Sequence, residues 1–373
     1  MKNRKQNNCI KVIRLLLVLA GLLFLNGCAR ETDRDLQSES VKEEKLQIGM
    51  SFDSFVIERW LRDRDLFDMT ARNYGAEVNV QVANGDAHEQ ISQIQYFIKK
   101  NMDVIVVVAA DGELLSDVIK EAKEAGIRVI SYDRLVMNAD TDLYISFDNE
   151  MVGTLMGEAM VKALPEGGNI FAVYGSPTDY NVAQTQKGFL DVINNSNLNI
   201  VYSSYCDNWL AELAFDAVEE GLSTNPRNIV GVMCNNDDLA SQAFRALAEN
   251  RLAGKAVLVG QDADLLACQR IVEGTQTMTV YKQVEILAER AAEFACVMGY
   301  EKMLKEKRIS EEDIPEAIAE LNVDMSELKT MHDGTYEVPY YSIDPIAVTK
   351  ENMDETVIAD NFHTREDVYL NVN

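Results

Sequence analysis

From Leu46 onward, short apolar runs alternate with stretches of helical periodicity along the chain. The runs are "LQIGMSF", "EVNVQVAN", "VIVVVAAD", "RVISYDR", "LYISFDN", "NIFAVYGS", "NIVYSSYCDNW", "NIVGVMCNND", "AVLVGQD" and "TMTVYK". Between them lie segments such as "GELLSDVIKEAKEAG", where Leu114, Leu115, Val118, Ile119 and Ala122 recur at helical spacing and Gly126 stands where a C-terminal cap belongs. Strands alternating with helices predict right-handed βαβ crossovers and parallel sheets covered on both faces. Ten strands exceed one ordinary sheet, so the pattern predicts two α/β lobes of five strands each, with the first crossing between them near Asp148. The charged segment "GYEKMLKEKRISEEDIPEAIAELNVDMSELKTMHDG" reads as a mostly helical surface addition. The tail "YEVPYYSIDPIAVTKENM" regains strand character and is expected to return to one of the sheets.

The polar residues at the ends of the apolar runs carry the chemistry. "VISY" leads into Asp133 and Arg134 with no turn residue between; "GMSF" leads to Asp53 and then Arg59 and Trp60. "FAVYGS" leads to Asp179 and Asn181, "VYSSYC" to Asp207 and Trp209, "GVMCN" to Asn236, "VLVGQ" to Asp262, and "TMTVY" to Lys282. In open parallel sheets, ligands bind in the crevice outside the carboxyl ends of the strands. Two such edges facing one cleft would offer carboxylate and amide acceptors, a planar guanidinium fork and an ammonium donor. They would also offer the only two tryptophans of the chain. Flat rings suit the C–H faces of a pyranose, and the polar groups suit its rim of hydroxyls. A single Asp after a strand commonly caps the next helix, and Asp148 and Asp238 are candidates for capping alone. Capping does not account for a recurring set of Asp, Arg, Asn and Trp.

Composition narrows the partners. With 47% hydrophobic residues, the 373-residue chain can fill two ordinary cores. Its 35 basic and 61 acidic side chains give a net charge of −26, which argues against nucleic acid and against electrostatic attraction to an anionic membrane. The N-terminus is distinct. Lys2, Arg4, Lys5, Lys11 and Arg14 precede "LLLVLAGLLFL", a run too short to cross a bilayer, so residues 1–27 read as a signal peptide. It ends in "LNGC", which resembles the bacterial lipobox and implies cleavage before Cys28 and lipid attachment there. Removing residues 1–27 takes the net charge from −26 to −31. Residues 28–45 are polar and aperiodic and read as a flexible tether. Cys206, Cys234, Cys268 and Cys296 lack metal-knuckle spacing and are expected to be buried thiols, though export also permits pairing.

The segments "IERWLRDRDLF", "VIKEAKEAGIRVISYDR", "YISFDNEMVG", "GQDADL" and "RIVEGTQTMTVYK" resemble the periplasmic sugar-binding proteins of bacterial ABC importers, and within them the D-xylose-binding branch. The resemblance runs from about Leu46 to Tyr300 and resumes from "SIDPIAVTKENM" to "VIADNFH". It implies the type I periplasmic binding protein fold, two doubly wound parallel-sheet lobes joined by a three-segment hinge. The first lobe would comprise residues 46–148 plus 283–340, and the second residues 149–282 plus 341–373. It also implies that Arg59, Asp133, Arg134, Asn236, Asp262 and Lys282 hydrogen-bond sugar hydroxyls. Trp60 and Trp209 would pack on the ring, with Asp179 and Asn181 contributing from the second lobe. The expected ligand is D-xylose or a similar monosaccharide, taken up by hinge closure outside the cytoplasm by a lipid-anchored monomer. Three departures stand out: Asp207-Asn208-Trp209 replaces the family's Asp-Gly-Trp, Asn235-Asn236-Asp237 its Ser-Asn-Asp, and Asp179-Tyr180-Asn181 its Asp-Asn-Asn.

No catalytic, metal or cofactor signature competes. His88, His332 and His363 are the only histidines, and none falls at the end of one of the ten apolar runs; glycine-rich phosphate loops and Gly-x-Ser-x-Gly elbows are absent from the sequence. Asp53 and Asp133 as a glycosidase pair is the nearest enzymatic reading. A sugar-responsive repressor would need a helix-turn-helix where the leader and tether stand. For the partner, an ABC transporter permease and a membrane histidine kinase that senses the sugar-loaded lipoprotein remain the two alternatives.

Overall fold

Each of the ten apolar runs forms a strand. They are β1 (Gln47–Phe52), β2 (Glu77–Val82), β3 (Val104–Val107), β4 (Arg128–Tyr132), β5 (Leu143–Phe147), β6 (Gly168–Tyr174), β7 (Leu198–Tyr205), β8 (Ile229–Cys234), β9 (Val257–Gln261) and β10 (Met278–Tyr281). The computed structural model describes residues 44–225, 229–321 and 328–372, so the leader, Cys28 and nearly all of the tether lie outside the described residues. The C-terminal segment adds β11 (Lys329–His332), β12 (Glu337–Ile343) and β13 (Ile346–Val348). One sheet has the order β11-β12-β5-β4-β3-β1-β2, the other β13-β10-β9-β8-β6-β7. The first ten strands thus divide five and five, all in parallel register with their neighbours.

The principal helices are α1 (Arg59–Asn73), α2 (Ala87–Lys99), α3 (Ser116–Glu124), α4 (Asn149–Ala163), α5 (Tyr180–Ile193), α6 (Glu212–Thr224), α7 (Asp237–Glu249), α8 (Leu265–Glu273) and α9 (Val284–Lys305). They cover both faces of the sheets. Along β3, Val104 and Val106 enter one core with Phe67 of α1 and Ala291 of α9, while Ile105 and Val107 enter another with Phe97 of α2 and Ile119 of α3. This period-2 division is why the central strands read as unbroken apolar runs. Edge strand β7 instead alternates half-buried with exposed positions after buried Leu198.

The C-terminal segment corrects three expectations. Its strands enter both sheets, not one: β12 pairs with β5 in parallel, and β13 pairs with β10 antiparallel. The expected division after residue 340 falls inside β12, because Tyr341, Ser342 and Ile343 still pair with Ile145, Ser146 and Phe147. The charged addition is less helical than its composition implies. Beyond the end of α9 the described part holds a 3-10 turn at Glu311–Asp313, a four-residue helix at Glu316–Ala319, and β11. Pro315 and a Ser310–Asp313 capping box break it into short pieces. The chain therefore passes between sheets three times, after β5, after β10 and after β12. The passages lie side by side: Asp148 N–H donates to the Ile343 carbonyl at 3.0 Å, and Tyr281 is in register with Ile346.

Helices begin on the residues that end the strands. Asp148 caps α4 by accepting from Met151 N, Asp179 caps α5 by accepting from Asn181 N, and Asn236 caps α7 by accepting from Leu239 N. Asp238 does not cap; it lies within the first turn of α7. Cys206, Cys234, Cys268 and Cys296 are buried free thiols. In the second lobe α4 and α5 touch backbone to backbone. A methyl group at Gly153 would lie 1.9 Å from the Thr185 carbonyl oxygen, and one at Gly188 would lie 1.9 Å from that of Glu150. Gly153→Ala is therefore expected to lower stability by roughly 1–3 kcal/mol through overpacking. Urea denaturation measures this, and an unchanged midpoint would refute the close approach.

Candidate functional site

The strand-to-loop junction after β4 shows why no separate turn residue is needed. Asp133 itself takes φ 61°, and Arg134 N–H donates back to the Tyr132 carbonyl at 2.6 Å, a reversal within three residues. The left-handed conformation is tolerated by Asp more readily than by most residues, and it is fixed here from several sides. Asp133 N–H donates to Ile145 O at 2.8 Å, and its carbonyl accepts from Ser146 Oγ at 2.7 Å. The reversal directs the carboxylate and the neighbouring guanidinium into the space between the lobes.

Each of these side chains spans that space. Arg134 Nη1 donates to Asp53 Oδ2 at 2.6 Å and to the Ala109 carbonyl at 3.2 Å, within its own lobe. Its Nε lies 2.8 Å from Asp179 Oδ2 on the other lobe. Asn181 Nδ2, also from the second lobe, donates to Asp133 Oδ1 and to the Asp133 carbonyl, each at 3.0 Å. Asp179 combines two tasks: Oδ1 caps α5, while Oδ2 accepts from Trp209 Nε1 at 3.2 Å and faces Arg134. Trp209 is delivered by a 3-10 turn in which Asn208 and Trp209 have φ 52° and 58°. Asn208 stands where the family resemblance places glycine, and asparagine is among the residues that best accept that conformation.

Arg59 projects from the first turn of α1, held by Asp63 one turn later through Nε at 3.2 Å and Nη2 at 2.9 Å. Asp63 is fully buried and also accepts from Tyr132 OH at 2.5 Å. Arg59 Nη2 lies 3.0 Å from Asp133 Oδ2, and its guanidinium carbon lies 4.4 Å from the Trp60 ring centroid. Arg134 lies 5.5 Å from the Trp60 ring and 5.8 Å from the Trp209 ring. Lys282, at the second passage between the sheets, has Nζ 3.9 Å from Asp262 Oδ1 and 5.6 Å from the Phe147 ring.

Nine of the ten expected residues line one interlobe cavity: Arg59, Trp60, Asp133, Arg134, Asp179, Asn181, Trp209, Asp262 and Lys282. Asn236 is not among its lining residues; its neighbour Asn235 is, as are Gln261, Thr185, Val182 and Ile57. Asn235 and Gln261 each precede the residue that the strand-end pattern singles out, and the pattern held no signal for them. The cavity's polar groups are of both kinds. Trp60 Nε1, Arg134 Nη2 and Asn235 Nδ2 are buried donors without a hydrogen-bond partner in the protein. Gln261 Oε1 and Asp262 Oδ1 are buried acceptors in the same condition, while Asp133 Oδ2 faces the Arg59 guanidinium at 3.0 Å. Groups of this kind are rare in protein interiors, and each costs about 1–3 kcal/mol when unpaired. Their convergence makes this cavity the candidate site.

Burial and charge act against each other here. Burial alone would raise the Asp133 carboxyl, but Arg59, Lys282 and Arg134 outweigh it and hold the group below its usual range. For Asp179, burial prevails over Arg134 and the carboxyl is raised; for Asp262, it prevails over Lys282 and Arg59.

The chain is similar to known proteins along most of its length. The family model described as "Periplasmic binding protein domain" matches residues 48–300. The chain is 46% identical to the D-xylose-binding periplasmic protein of Haemophilus influenzae over 89% of its own length and 95% of that protein. It is 38% identical to the D-xylose-binding periplasmic protein of Escherichia coli over 96% of its own length and 100% of that protein. Among solved structures, an ABC transporter solute-binding protein from Clostridium phytofermentans with bound β-D-glucose superposes with a TM-score of 0.73 at 24% identity, covering 86% of this chain and 99% of that one. One from Chloroflexus aurantiacus with D-glucose gives 0.74 at 22% identity, covering 87% and 98%. These two share the type I two-lobe fold.

Behind the second-lobe edge, burial pushes the Asp237 carboxyl up to about 7, although a hydrogen bond from Thr279, the charge of Arg270 and a hydrogen bond from Gln276 oppose the rise. A carboxyl whose folded value exceeds its unfolded value of about 3.9 binds its proton more tightly in the native state. Its contribution to stability is complete below pH of about 4 and is lost as the pH rises toward about 7. The raised carboxyls of Asp63, Asp179, Asp262 and Asp264 act in the same direction. The protein is therefore expected to melt at a higher temperature near pH 5 than near pH 8, with a shallower dependence in Asp237→Asn. Calorimetric scans across that range check this, and identical slopes for the two proteins would exclude a role for Asp237.

Proposed function

The chain belongs to the periplasmic binding protein family, and on that footing we propose that its interlobe cleft captures a neutral monosaccharide, D-xylose or a close relative, for delivery to an ABC importer. The observation that carries this reading is the set of unpaired donors and acceptors between Trp60 and Trp209. A pyranose hydroxyl both donates and accepts, so a ring of hydroxyls can satisfy amide, indole and guanidinium N–H groups together with carboxylate oxygens. Charge supports a neutral ligand. Arg59, Arg134 and Lys282 are accompanied by Asp53, Asp63, Asp133, Asp179 and Asp262, leaving no excess of positive charge for an anion. The names of the two D-xylose-binding relatives support a pentose.

The mechanism rests on where the groups reside. Sugar first meets one lobe's edge, and bending at the three passages brings the other edge over it, excluding water and completing the hydrogen bonds. The ligand shifts the equilibrium only by its preference for the closed form, so every hydroxyl that pairs with both lobes contributes to closure. An analogue lacking or inverting one hydroxyl leaves a buried group unpaired, at a cost of about 1–3 kcal/mol, or roughly 5- to 150-fold in affinity. A hexose must also fit an added hydroxymethyl group. Isothermal titration with D-xylose, D-ribose, L-arabinose, D-glucose and D-galactose is expected to rank D-xylose first, with differences of at least about tenfold from the hexoses. Equal affinities across the five would overturn the assignment.

The lipobox-like "LNGC" supports export followed by anchoring through Cys28, with the polar tether setting the binding domain off from the bilayer. In detergent phase separation the native protein is expected in the detergent phase and Cys28→Ala in the aqueous phase. Finding both in the aqueous phase would contradict the anchor.

A further inference from the structure

The turn that carries Asp262 into the cleft is conformationally demanding. Between β9 and α8, Asp262 and Ala263 have φ 94° and 56°, so two successive residues bearing a Cβ lie in the left-handed region. Alanine has no side-chain group to compensate for this, and such a turn persists only when its surroundings fix it. Three backbone groups are fixed from the second lobe's own elements. Asp262 N–H donates to Val280 O at 2.8 Å, Ala263 N–H to Thr279 Oγ1 at 3.1 Å, and Asp264 N–H to Asp237 Oδ2 at 3.2 Å.

The Ala263 carbonyl accepts from Cys268 Sγ of α8 at 3.3 Å and is held more closely from elsewhere in the chain. His363 Nε2 lies 2.8 Å from it, a hundred residues away in sequence. Because a carbonyl only accepts, Nε2 carries the proton in this contact. The imidazole is itself fixed by packing: its centroid lies 4.6 Å from that of Phe362, which lies 5.0 Å from Tyr281. Arg62 of α1 donates to the Phe362 carbonyl at 2.9 Å and lies 4.5 Å from its ring. The C-terminal segment thus rests against both lobes and delivers one directed donor to the back of the turn. On the front of the same turn, Asp262 Oδ1 is buried without a hydrogen-bond partner and Asp262 lines the cavity.

We propose that His363 is a positioning residue for the sugar site: through the Ala263 carbonyl it holds the doubly left-handed turn that aims the Asp262 carboxylate into the cleft. The proposal rests on the reading of that cleft as a monosaccharide site. It assigns His363 no contact with sugar, and it gives a role to the segment that continues past β13 and packs beside the hinge.

The test compares His363→Leu, which keeps apolar bulk against Phe362 but removes the donor, with His363→Gln, whose amide can still donate. Each is made in the native protein and in Asp262→Asn, and D-xylose is titrated calorimetrically. His363→Leu is expected to weaken binding by about five- to tenfold and His363→Gln by less than about twofold, the effect of losing one directed hydrogen bond. In the Asp262→Asn background, the Leu substitution should cost less than about twofold, because the carboxylate it positions is gone. Equal affinity of His363→Leu and the native protein overturns the proposal. So does an equal loss in the Leu and Gln variants, or an undiminished loss beside Asp262→Asn. Should His363→Leu fail to fold, His363→Asn, whose amide is too short to reach the carbonyl, takes its place with the same expectations. A native protein that binds none of the five sugars defeats the sugar-site reading and this proposal together; a native protein that binds while His363→Leu is unaffected defeats this one alone.

Discussion

A guanidinium sealed from water needs its counter-charges close at hand, and Arg134 finds its two carboxylates on different lobes. Asp53 belongs to the same lobe as Arg134, so that half of the arrangement travels with it. Asp179 does not; separating the lobes exchanges its contact for water. The arrangement thus allows the cleft to open without stranding a bare charge, while the lobes are joined here by the Arg134–Asp179 ion pair and by hydrogen bonds that include Asn181 to Asp133, Tyr144 to Asn181 and Thr178 to Ala110. Around this pair, Arg59 and Trp60 from the first lobe, Trp209 from the second and Lys282 at a passage between them line the same space.

The fold was largely readable because parallel sheets with both faces covered impose unbroken apolar runs, and all ten such runs became strands. What escaped was governed by partners rather than by pattern. β11, β12 and β13 are short, and their inclusion depends on pairing with β5 and β10, which no local periodicity announces. The charged addition looked helical by composition, but Pro315 and the Ser310 cap divided it. At the site, strand-end polarity pointed to nine cavity residues directly. It passed over Asn235 and Gln261, which face the cavity from the last positions of their strands or just beyond, because one residue of offset decides which side chain turns inward. The pairing of Asp63 with Tyr132 was likewise invisible, because the two meet across 69 residues of sequence.

Capping and a place at the cleft, which compete as explanations of an Asp after a strand, coexist in the structure. Asp179 uses one carboxylate oxygen for the α5 N-terminus and the other for Arg134 and Trp209. Asn236 commits its oxygen to Leu239 N–H and keeps its amide nitrogen unpaired. Such a division suits a binding edge: the half of the side chain that caps a helix is immobilised, so the other half is held in place with little rotamer entropy left to lose. Asp148, by contrast, lies at a passage between the sheets and caps α4.

The three passages between the sheets run next to one another, joined by the Asp148 to Ile343 hydrogen bond and the Tyr281–Ile346 pairing. Three adjacent struts resist sliding and torsion better than one would, which favours bending over other motions of the lobes. Whatever occupies the cleft is thereby registered chiefly as a bend. Under the proposed function, a receptor on the membrane side would need to gauge only that bend.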